Sequence, residues 1–360
     1  MQIEDFLVKG KASFIVGGQY GSEAKGAAAA WLAARMAERS LNFDVVTTNA
    51  GAQAGHTSLH KGLKRVVFHL PTYPLVNPGS ELVYLNAGSI IDVSTLFNEM
   101  DQVARDAPWH HSKRFHIHPN AAIITEECKN AENRDDSPQS AISSTRKGVG
   151  EALARKVSRS GVIARNHPKL RDYVRRIDIN YAMQKGKSVL VEVPQGISLG
   201  LNNKFYPHCT SRDCTIAQAA SDAGIHPHFV GPTMLVLRTF PIRVGNIVVN
   251  GDEKSSGDCY PDQQEITWDQ LGVKPEITTV TGRVRRVFTW SHQQVYDAIG
   301  LTRPSVIYLS HVDYLSGGRA GLRPIIQSIR TSLTVHGIDR CLIVCANGPS
   351  TDDAWEHQDE

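Results

Sequence analysis

Short runs of apolar, mostly β-branched residues recur along the chain, and they end in glycine or in polar residues typical of turns. Runs that are apolar at every position are typical of strands buried on both faces of a largely parallel sheet. The clearest are residues 14–16, 45–47, 82–85, 189–191, 306–309 and 342–344. Helical stretches are predicted between them, at residues 27–39, 149–159, 168–184 and 324–336. This alternation predicts an α/β fold with a large, mainly parallel central sheet, flanked by helices, that binds ligands at the carboxyl ends of its strands.

The chain is predicted to form one domain over residues 1–360, because no internal repeat or low-complexity tract divides it. Two segments are expected to leave the sheet as loop excursions. Residues 126–144 are polar and poor in strand-forming residues, while residues 250–264 crowd glycine, aspartate, serine and proline together.

Composition and charge place the chain among soluble globular proteins. Hydrophobic residues make up 41% and charged residues 21% of the chain, which fits a sizeable core. A formal net charge of +3 gives no support for nucleic-acid binding, which would favour a strongly basic face. No run of about 18 apolar residues predicts a membrane span, and the first residues lack the apolar core of a signal peptide. The expected location is the cytoplasm.

The first segment that carries chemistry follows the strand at residues 14–16. It reads Gly-Gly-Gln-Tyr-Gly-Ser-Glu-Ala-Lys-Gly from Gly17 to Gly26, and an alanine-rich helix comes next. Glycines let backbone N–H groups converge on phosphate oxygens, the helix start favours negative charge, and Lys25 neutralises that charge. The spacing departs from the ordinary P-loop, and neither serine nor threonine follows Lys25. Taken alone, the segment is either a phosphate cradle or a tight strand-to-helix turn.

Residues 19–26 resemble the divergent phosphate loop of adenylosuccinate synthetase, which reads Gln-Trp-Gly-Asp-Glu-Gly-Lys-Gly. The likeness continues in order along nearly the whole chain. The family's Asn-Ala-Gly-His-Thr becomes Gln-Ala-Gly-His-Thr at 53–57, its Thr- and Gly-rich phosphate segment lies at 143–150, and its Lys-Val-Ala-Arg-Arg-Gly at 156–161. Its Glu-Gly-Ala-Gln-Gly lies at 192–196, Tyr-Pro-x-x-Thr-Ser at 206–211, the aspartate-binding loop at 281–286 and Thr-Lys-Leu-Asp at 310–313. These short matches in the right order identify the chain as a member of the family.

Two positions depart from the family pattern. Ser22 replaces the family's aspartate, a catalytic base and magnesium ligand, and His311 replaces a base-reading lysine. A serine at position 22 is the mark of a bacteriophage branch, the 2-aminoadenylosuccinate synthases, which take dGMP in place of IMP and serve phages whose DNA carries 2-aminoadenine. We hypothesise that Ser22 makes room for the 2-amino group of guanine and accepts a hydrogen bond from the base. Because a hydroxyl is a poor base, either a water held by Ser22 takes the N1 proton or the reaction depends more on the metal and His56.

The resemblance implies a ligase that condenses dGMP with L-aspartate and hydrolyses ATP to ADP and phosphate through a 6-phosphoryl purine intermediate. The product would be N6-succino-2-amino-2′-deoxyadenylate. The implied cofactors are Mg²⁺ and ATP, with dATP as a further donor. The implied assembly is a homodimer in which Arg159 reaches across the interface. No nucleic-acid or membrane partner is expected.

The resemblance also assigns the site residues. Catalysis falls to Ser22, Lys25 and His56, and metal binding to Ser22 and the carbonyl of Gly55. The residues assigned to dGMP are Ser22, Ser144, Thr145, Arg159, Gln195, Thr210, Val244 and Arg283. Those assigned to L-aspartate are Val280, Thr281, Arg283 and Arg285. Those assigned to the triphosphate are Gly21, Glu23, Ala24, Lys25, Gly26, Gly55, His56, Thr57, Arg285, His311, Asp313, Gly348 and Pro349.

Three other functions compete with this interpretation. An ordinary adenylosuccinate synthetase would use IMP and GTP, but such an enzyme depends on the carboxylate that Ser22 replaces. A catalytically dead relative would bind nucleotide for regulation, although Lys25, His56 and Arg285 are retained. A nucleic-acid-binding α/β protein would show a strongly salt-dependent affinity for DNA.

Overall fold

The computed structural model describes residues 2–104, 114–278 and 282–358. Its helices are α1 Lys25–Glu38, α2 Tyr73–Val76, α3 Val93–Val103, α4 Glu126–Asn133, α5 Pro138–Ala141, α6 Val149–Val157, α7 Ile179–Gln184, α8 Ile216–Ala223, α9 Trp268–Leu271, α10 His292–Thr302 and α11 Arg319–Val335. Its strands are β1 Ala12–Gly17, β2 Val45–Thr48, β3 His56–His60, β4 Leu63–Val67, β5 Leu82–Leu85, β6 Ile90–Ile91, β7 Phe115–Ile117, β8 Ala122–Ile123, β9 Val189–Gly196, β10 Val230–Arg238, β11 Ile242–Arg243, β12 Ile247–Val249, β13 Asp252–Lys254, β14 Glu265–Ile266, β15 Arg286–Phe288, β16 Val306–Ser310, β17 Leu342–Ala346 and β18 Ala354–Glu356.

The main sheet of the described ranges has nine strands in the order β18-β17-β16-β10-β1-β9-β2-β5-β7. All of its neighbouring pairs run parallel except β17 and β18. The six predicted strands all lie in this sheet. The predicted fold class, a mainly parallel sheet flanked by helices, is therefore confirmed.

Alternate side chains of the central strands pack on opposite faces of the sheet. Met234 and Val236 join Trp31 of α1 in one buried cluster, whereas Leu235 and Leu237 join side chains of α10 and α11 in another. Because both faces are covered, β10 is apolar at four successive positions, as expected for a central parallel strand.

Strand β10 has no counterpart among the predicted runs, although it pairs directly with β1. Its sequence contains Pro232, and proline within a run argues against a central strand because it cannot donate a ladder hydrogen bond. The register shifts between the pairs Ala12–Val230 and Phe14–Thr233, and Pro232 lies inside that irregularity. The bulge accommodates the proline, and the rest of the strand pairs regularly.

Two of the four predicted helices are confirmed as α1 and α6, within one or two residues at each end. The predicted helix at 168–184 is wrong as one element: a 3₁₀ turn, Pro168–Leu170, is followed by irregular chain and then by α7. Val174 bridges to Ile117 at the sheet edge, and Asp178 starts α7 afresh by accepting a hydrogen bond from the N–H of Tyr181. The last predicted helix begins earlier than expected, so that Pro324 lies inside α11.

The two predicted excursions contain regular structure. Residues 126–144 include the helices α4 and α5, and residues 250–264 include β13, which pairs antiparallel with β12. None of the helices in the described ranges is both long and apolar enough to cross a membrane.

The carboxyl ends of the parallel strands meet at one edge of the sheet. The segments that leave this edge are residues 18–24 after β1, 49–55 after β2 and 311–318 after β16. Gln195 and Arg238 lie at the carboxyl ends of β9 and β10. This edge places the predicted phosphate loop beside the other predicted site segments.

Candidate active site

The phosphate loop is held in shape by a buried ion pair of its own. The Glu23 carboxylate accepts hydrogen bonds from the N–H groups of Gln19 (2.9 Å) and Gly21 (2.8 Å). It also pairs with Lys25 Nζ at 2.8 Å, and Lys25 donates to the carbonyl of Gly21 at 3.0 Å. Lys25 and Glu23 are both buried. The lysine charge is therefore balanced inside the loop.

The start of α1 is pressed against the start of β3. Ala24 precedes the helix in the left-handed conformation, at φ 70°, and provides no side-chain cap. A Cβ on Gly26 would lie 2.5 Å from the carbonyl oxygen of Thr57, so only glycine fits there without a backbone shift. This close approach brings His56 to the uncapped N–H groups of the helix, which favour an anion.

His56, at the start of β3, is buried. Burial, together with the charge of Lys25, lowers the pKa of His56 to about 3, so the imidazole is neutral at physiological pH. Its Nε2 has no hydrogen-bond partner among the residues that the structure describes. A buried ring nitrogen without a partner is costly unless a ligand supplies one.

Three adjoining cavities form one cleft along the carboxyl edge of the sheet. The loop cavity lies over the phosphate loop, between His56 and the segments after β16 and β17. The middle cavity shares five of its lining residues: Gly21, Ser22, Gly55, His56 and Arg285. The hydroxyl cavity, lined by Ser143, Ser144, Thr145, Thr210 and Ser211, shares Tyr20, Gln53, Thr145, Gln195, Leu199 and Val244 with the middle cavity. Ser22 thus lies between a phosphate-loop site and a hydroxyl-lined site.

Most of the predicted site residues line this cleft. Every residue assigned to the triphosphate lines the loop cavity except Glu23, whose carboxylate is used inside the phosphate loop. Ser144, Thr145, Gln195, Thr210 and Val244, assigned to the monophosphate, line the hydroxyl cavity. Their assignment to particular ligands stays a prediction.

Arg285 and Arg283 have different surroundings. Arg285 lines the loop and middle cavities and donates a hydrogen bond to Ser22 Oγ at 2.7 Å. Arg283 donates to Ser143 Oγ at 2.8 Å and to the carbonyls of Gly245 (3.0 Å) and Ser144 (3.2 Å), which ties three segments together. Arg285 is the better placed of the two to meet a carboxylate in the middle cavity, because among the described residues its guanidinium donates only to the Ser22 hydroxyl.

Among the described residues, three predicted site residues line none of the three cavities: Glu23, Arg159 and Arg283. Arg159 is exposed, follows the end of α6 in the left-handed conformation (φ 65°), and lines none of the three cavities. Val280 and Thr281, assigned to L-aspartate, lie outside the described residues. The neighbouring Thr278 lines the middle cavity.

A charged cluster of the loop cavity, centred on the buried Arg238, was not predicted from the sequence. Arg238, at the end of β10, donates to Glu276 Oε1 and to the carbonyl of Ser22 at 3.0 Å. Tyr314 Oη donates to the same carboxylate oxygen at 3.0 Å. Although burial opposes it, the charge and hydrogen bonds of Arg238, together with the charge of Arg285, lower the pKa of Glu276 to about 2. The available signal was an arginine directly after the four apolar residues 234–237, at the end of a strand.

His311 lies beside this cluster and is neutral as well. Its Nδ1 is 2.7 Å from Ser310 Oγ, and its Nε2 is 3.8 Å from Glu276 Oε1. Burial and the nearby charge of Arg238 lower the pKa of His311 to about 3. A cationic side chain at this base-reading position is therefore replaced by a neutral ring.

Comparison with known proteins shows the family to which the chain belongs. The chain matches the model of adenylosuccinate synthetase over residues 14–172 and 164–320. It is 32% identical to the N6-succino-2-amino-2′-deoxyadenylate synthase of Vibrio phage phiVC8 over 350 residues, 95% of this chain and 96% of that relative. It is 30% identical to the adenylosuccinate synthetase of Thermococcus onnurineus over 310 residues, 86% of each chain. The chain belongs to the adenylosuccinate synthetase family and is a ligase.

Two solved structures are similar to the whole fold. One is the succinoaminodeoxyadenylate synthetase of cyanophage S-2L bound to dGMP and to dATP as an energy donor, with a TM-score of 0.81, 31% identity and coverage of 97% of this chain and 95% of that one. The other is the fully ligated adenylosuccinate synthetase of Plasmodium falciparum, with a TM-score of 0.75, coverage of 96% and 99%, and 18% identity. At that identity the second likeness shows the fold alone.

Proposed function

We propose that this chain condenses dGMP with L-aspartate and hydrolyses ATP to ADP and phosphate, giving N6-succino-2-amino-2′-deoxyadenylate. The observation that carries the proposal is the position of Ser22 in the middle of a continuous cleft, between the phosphate loop and the hydroxyl cavity. The similarity to phage enzymes, one of them bound to dGMP and dATP, supports these substrates. dATP is proposed as a further donor.

Each substrate is assigned to a different part of the cleft. ATP would place its phosphates over the phosphate loop and its base near His311, Asp313 and Gly348. The monophosphate of dGMP would lie in the hydroxyl cavity, where hydroxyl and backbone N–H groups can bind phosphate oxygens. The guanine base would then reach the middle cavity, which Ser22, Gln195 and Arg285 line.

The proposed reaction has two steps. In the first, the purine 6-oxygen attacks the γ-phosphorus, the bond to ADP breaks, and the N1 proton is lost. In the second, the amine of L-aspartate attacks C6, phosphate leaves with the former 6-oxygen, and the amine loses a proton. His56 would donate a hydrogen bond to the moving phosphoryl group from the tautomer with its proton on Nε2, because that nitrogen has no partner among the described residues. Arg285 would bind the aspartate and lend positive charge beside Ser22.

A magnesium ion fits this cleft if the triphosphate supplies most of its ligands. No cluster of three histidine, cysteine or carboxylate side chains that could hold a metal occurs among the described residues. Mg²⁺ commonly keeps several waters and binds substrate phosphates, which suits a site without a protein cage. The carbonyl of Gly55 would be its protein ligand, and the ion would neutralise phosphate charge. Ser22 stays a second candidate, but its hydroxyl already accepts from Arg285.

The proposed assembly is a homodimer that completes each site with Arg159 of the partner. Arg159 is exposed just beyond the end of α6. An exposed arginine outside its own cleft suits a phosphate in a neighbouring subunit.

We propose that the enzyme acts in the cytoplasm of an infected host.

Phosphate release with L-aspartate, Mg²⁺ and ATP tests the proposal, with dGMP and IMP compared as acceptors. Activity with dGMP and little with IMP is expected. Activity with IMP and GTP alone would return the chain to ordinary adenine synthesis. The His56→Ala variant is the control for a contaminating phosphatase, because phosphate release that depends on both acceptor and aspartate should fall with it.

A further inference from the structure

Two arginines donate hydrogen bonds to Ser22, one to its backbone and one to its side chain. Arg238 donates to the Ser22 carbonyl at 3.0 Å, and Arg285 donates to the Ser22 hydroxyl at 2.7 Å. The first contact fixes the backbone of the phosphate loop, and the second fixes the side chain that faces the middle cavity. Two guanidinium groups this close to one residue repel each other unless a negative charge lies between them.

Glu276 supplies that charge. Its carboxylate accepts from Arg238 through two nitrogens and from the hydroxyl of Tyr314, and its backbone carbonyl accepts from the N–H of Arg285 at 2.9 Å. Among the described residues that line the loop cavity, only Glu276 and Asp313 are carboxylates. The third cation there, Lys25, already has Glu23 as its partner. Glu276 therefore pairs directly with Arg238, and its charge also acts on the Arg285 guanidinium.

We propose that Glu276 is a positioning residue for the reaction, whose charge holds Arg238 and Arg285 on Ser22 and so sets both the phosphate loop and the carboxylate-binding arginine before substrates arrive. This inference rests on the proposed function for its kinetic readouts. Glu276 is not assigned the N1 proton, because three hydrogen bonds, two from Arg238 and one from Tyr314, keep its carboxylate ionised and weakly basic. It also makes no direct hydrogen bond to Ser22 in the described structure.

The first test is Glu276→Gln, which keeps the shape of the side chain and removes its charge. The KM for L-aspartate should rise by about tenfold or more, and kcat should fall by up to about 100-fold, because an ångström of misplacement in a catalytic group costs about that much. The matched control is Glu265→Gln. Glu265 pairs with Arg286 at 2.8 and 2.6 Å on the neighbouring strand, but it lines none of the three cavities. Equal changes in KM and kcat in the two variants would show that Glu276 has only the structural role of an ordinary ion pair.

The second test moves the charge instead of removing it. A carboxylate introduced by Ser22→Asp would meet Arg285 directly, since the present contact is 2.7 Å. In the Ser22→Asp background, Glu276→Gln should therefore raise the KM for L-aspartate by less than about threefold, against about tenfold or more in the native background. The better acceptor of each background, dGMP or IMP, is used at saturation. An equal rise in the KM for L-aspartate in the two backgrounds would overturn the proposal. A carboxylate at position 22 could not compensate for the loss of a Glu276 carboxylate that had only a structural role.

Two further measurements keep the outcomes separate. If native enzyme shows no aspartate-dependent phosphate release, the proposed function fails, and the Kd of ATP from titration calorimetry then decides the positioning role alone: it should weaken by about tenfold in Glu276→Gln and stay unchanged in Glu265→Gln. If Glu276→Gln does not fold, Tyr314→Phe removes one hydrogen bond to the same carboxylate. That variant should raise the KM for L-aspartate by about threefold, and an unchanged KM would contradict the proposal.

Discussion

Arg285 donates a hydrogen bond across 2.7 Å to the hydroxyl of Ser22, which joins the segment 282–286 to the phosphate loop. Positive charge thus lies beside the serine, at the point where the loop and middle cavities meet. A carboxylate at position 22 would form an ion pair there and occupy more of the space that faces the purine. The identity of residue 22 therefore affects both charge and room at the base.

Ser22→Asp is expected to lower the preference for dGMP over IMP, measured as the ratio of their kcat/KM values, by about 10- to 100-fold. The larger, charged side chain leaves less room for the 2-amino group of guanine, and discrimination of this size is typical of one lost or added contact. Ser22→Ala, which leaves the space open, should keep the preference while lowering kcat. A Ser22→Asp enzyme that still prefers dGMP by the native ratio would remove Ser22 as the source of specificity.

Gly26→Ala should weaken ATP binding by about tenfold. The added methyl group would meet the backbone of Thr57 at 2.5 Å, so β3 and His56 must move away from the start of α1. Overpacking of this kind costs about 1–3 kcal/mol, and about 1.4 kcal/mol corresponds to a tenfold change in Kd.

Gly62→Ala provides the comparison, because Gly62 lies in the turn between β3 and β4 with nothing within 4 Å of an added Cβ. Its φ of 77° makes alanine strained there, so a loss of stability is expected without a loss of ATP affinity. Titration calorimetry and thermal unfolding of both variants separate the two effects. Equal ATP affinities would show that the contact between α1 and β3 does not shape the site.

The sequence predicts the sheet better than it predicts the charged interior of the cleft. Continuous apolar runs such as residues 306–309 identify buried parallel strands, because a strand covered on both faces has few polar positions. This rule does not predict strand β10, because Pro232 lies within it. Pro232 is accommodated in a bulge, and only the pairing of β10 with β1 in the folded structure shows that bulge. The break in the helix at 168–184 is not predicted either, because Val174 pairs with Ile117, which lies far from it along the chain.

The same limit applies to the candidate site. Family motifs give contiguous residues such as 53–57, which fold together locally and line the cleft. The cluster of Arg238 and Glu276 joins residues 38 positions apart, with no motif around either. Nor does spacing distinguish Arg283, which ties segments together, from Arg285, which faces the cavity. Long-range charge pairing depends on the tertiary fold, so only the structure assigns these roles.

His56 should make the protein less stable in mild acid. Its pKa is lowered from 6.5 to about 3, first by burial and then by Lys25, so below pH 6.5 the unfolded chain binds a proton that the folded chain refuses. The stability contribution is complete above pH 6.5 and is lost as the pH falls from there towards 3. Between pH 7.5 and 5.0 the loss from this residue is about 2 kcal/mol, at about 1.4 kcal/mol per pH unit below 6.5.

Urea unfolding of the ligand-free protein at pH 7.5 and pH 5.0 measures this loss. His56→Gln should be less sensitive to acid than the native protein by about 2 kcal/mol. His226→Gln, which removes an exposed histidine, is the control and should keep the native sensitivity. If His56→Gln and native protein lose the same free energy of unfolding, the imidazole is not held neutral.

Arg159 should act on the site of a partner subunit, because it is exposed and lines none of the three cavities of its own chain. Arg159→Ala is then expected to raise the KM for dGMP by at least about tenfold with no change in thermal stability, since a charged phosphate contact is lost and no buried group is exposed.

Mixing two inactive variants shows whether Arg159 acts in its own site or in that of the partner. Arg159→Ala and His56→Ala chains, each nearly inactive alone at low dGMP, should together recover about a quarter of native activity. Half of randomly assembled dimers are mixed, and each mixed dimer contains one site with both native residues. Recovery requires subunits to exchange, which unfolding and refolding the mixture provides. A refolded mixture no more active than its parts would place Arg159 either in its own site or outside the reaction.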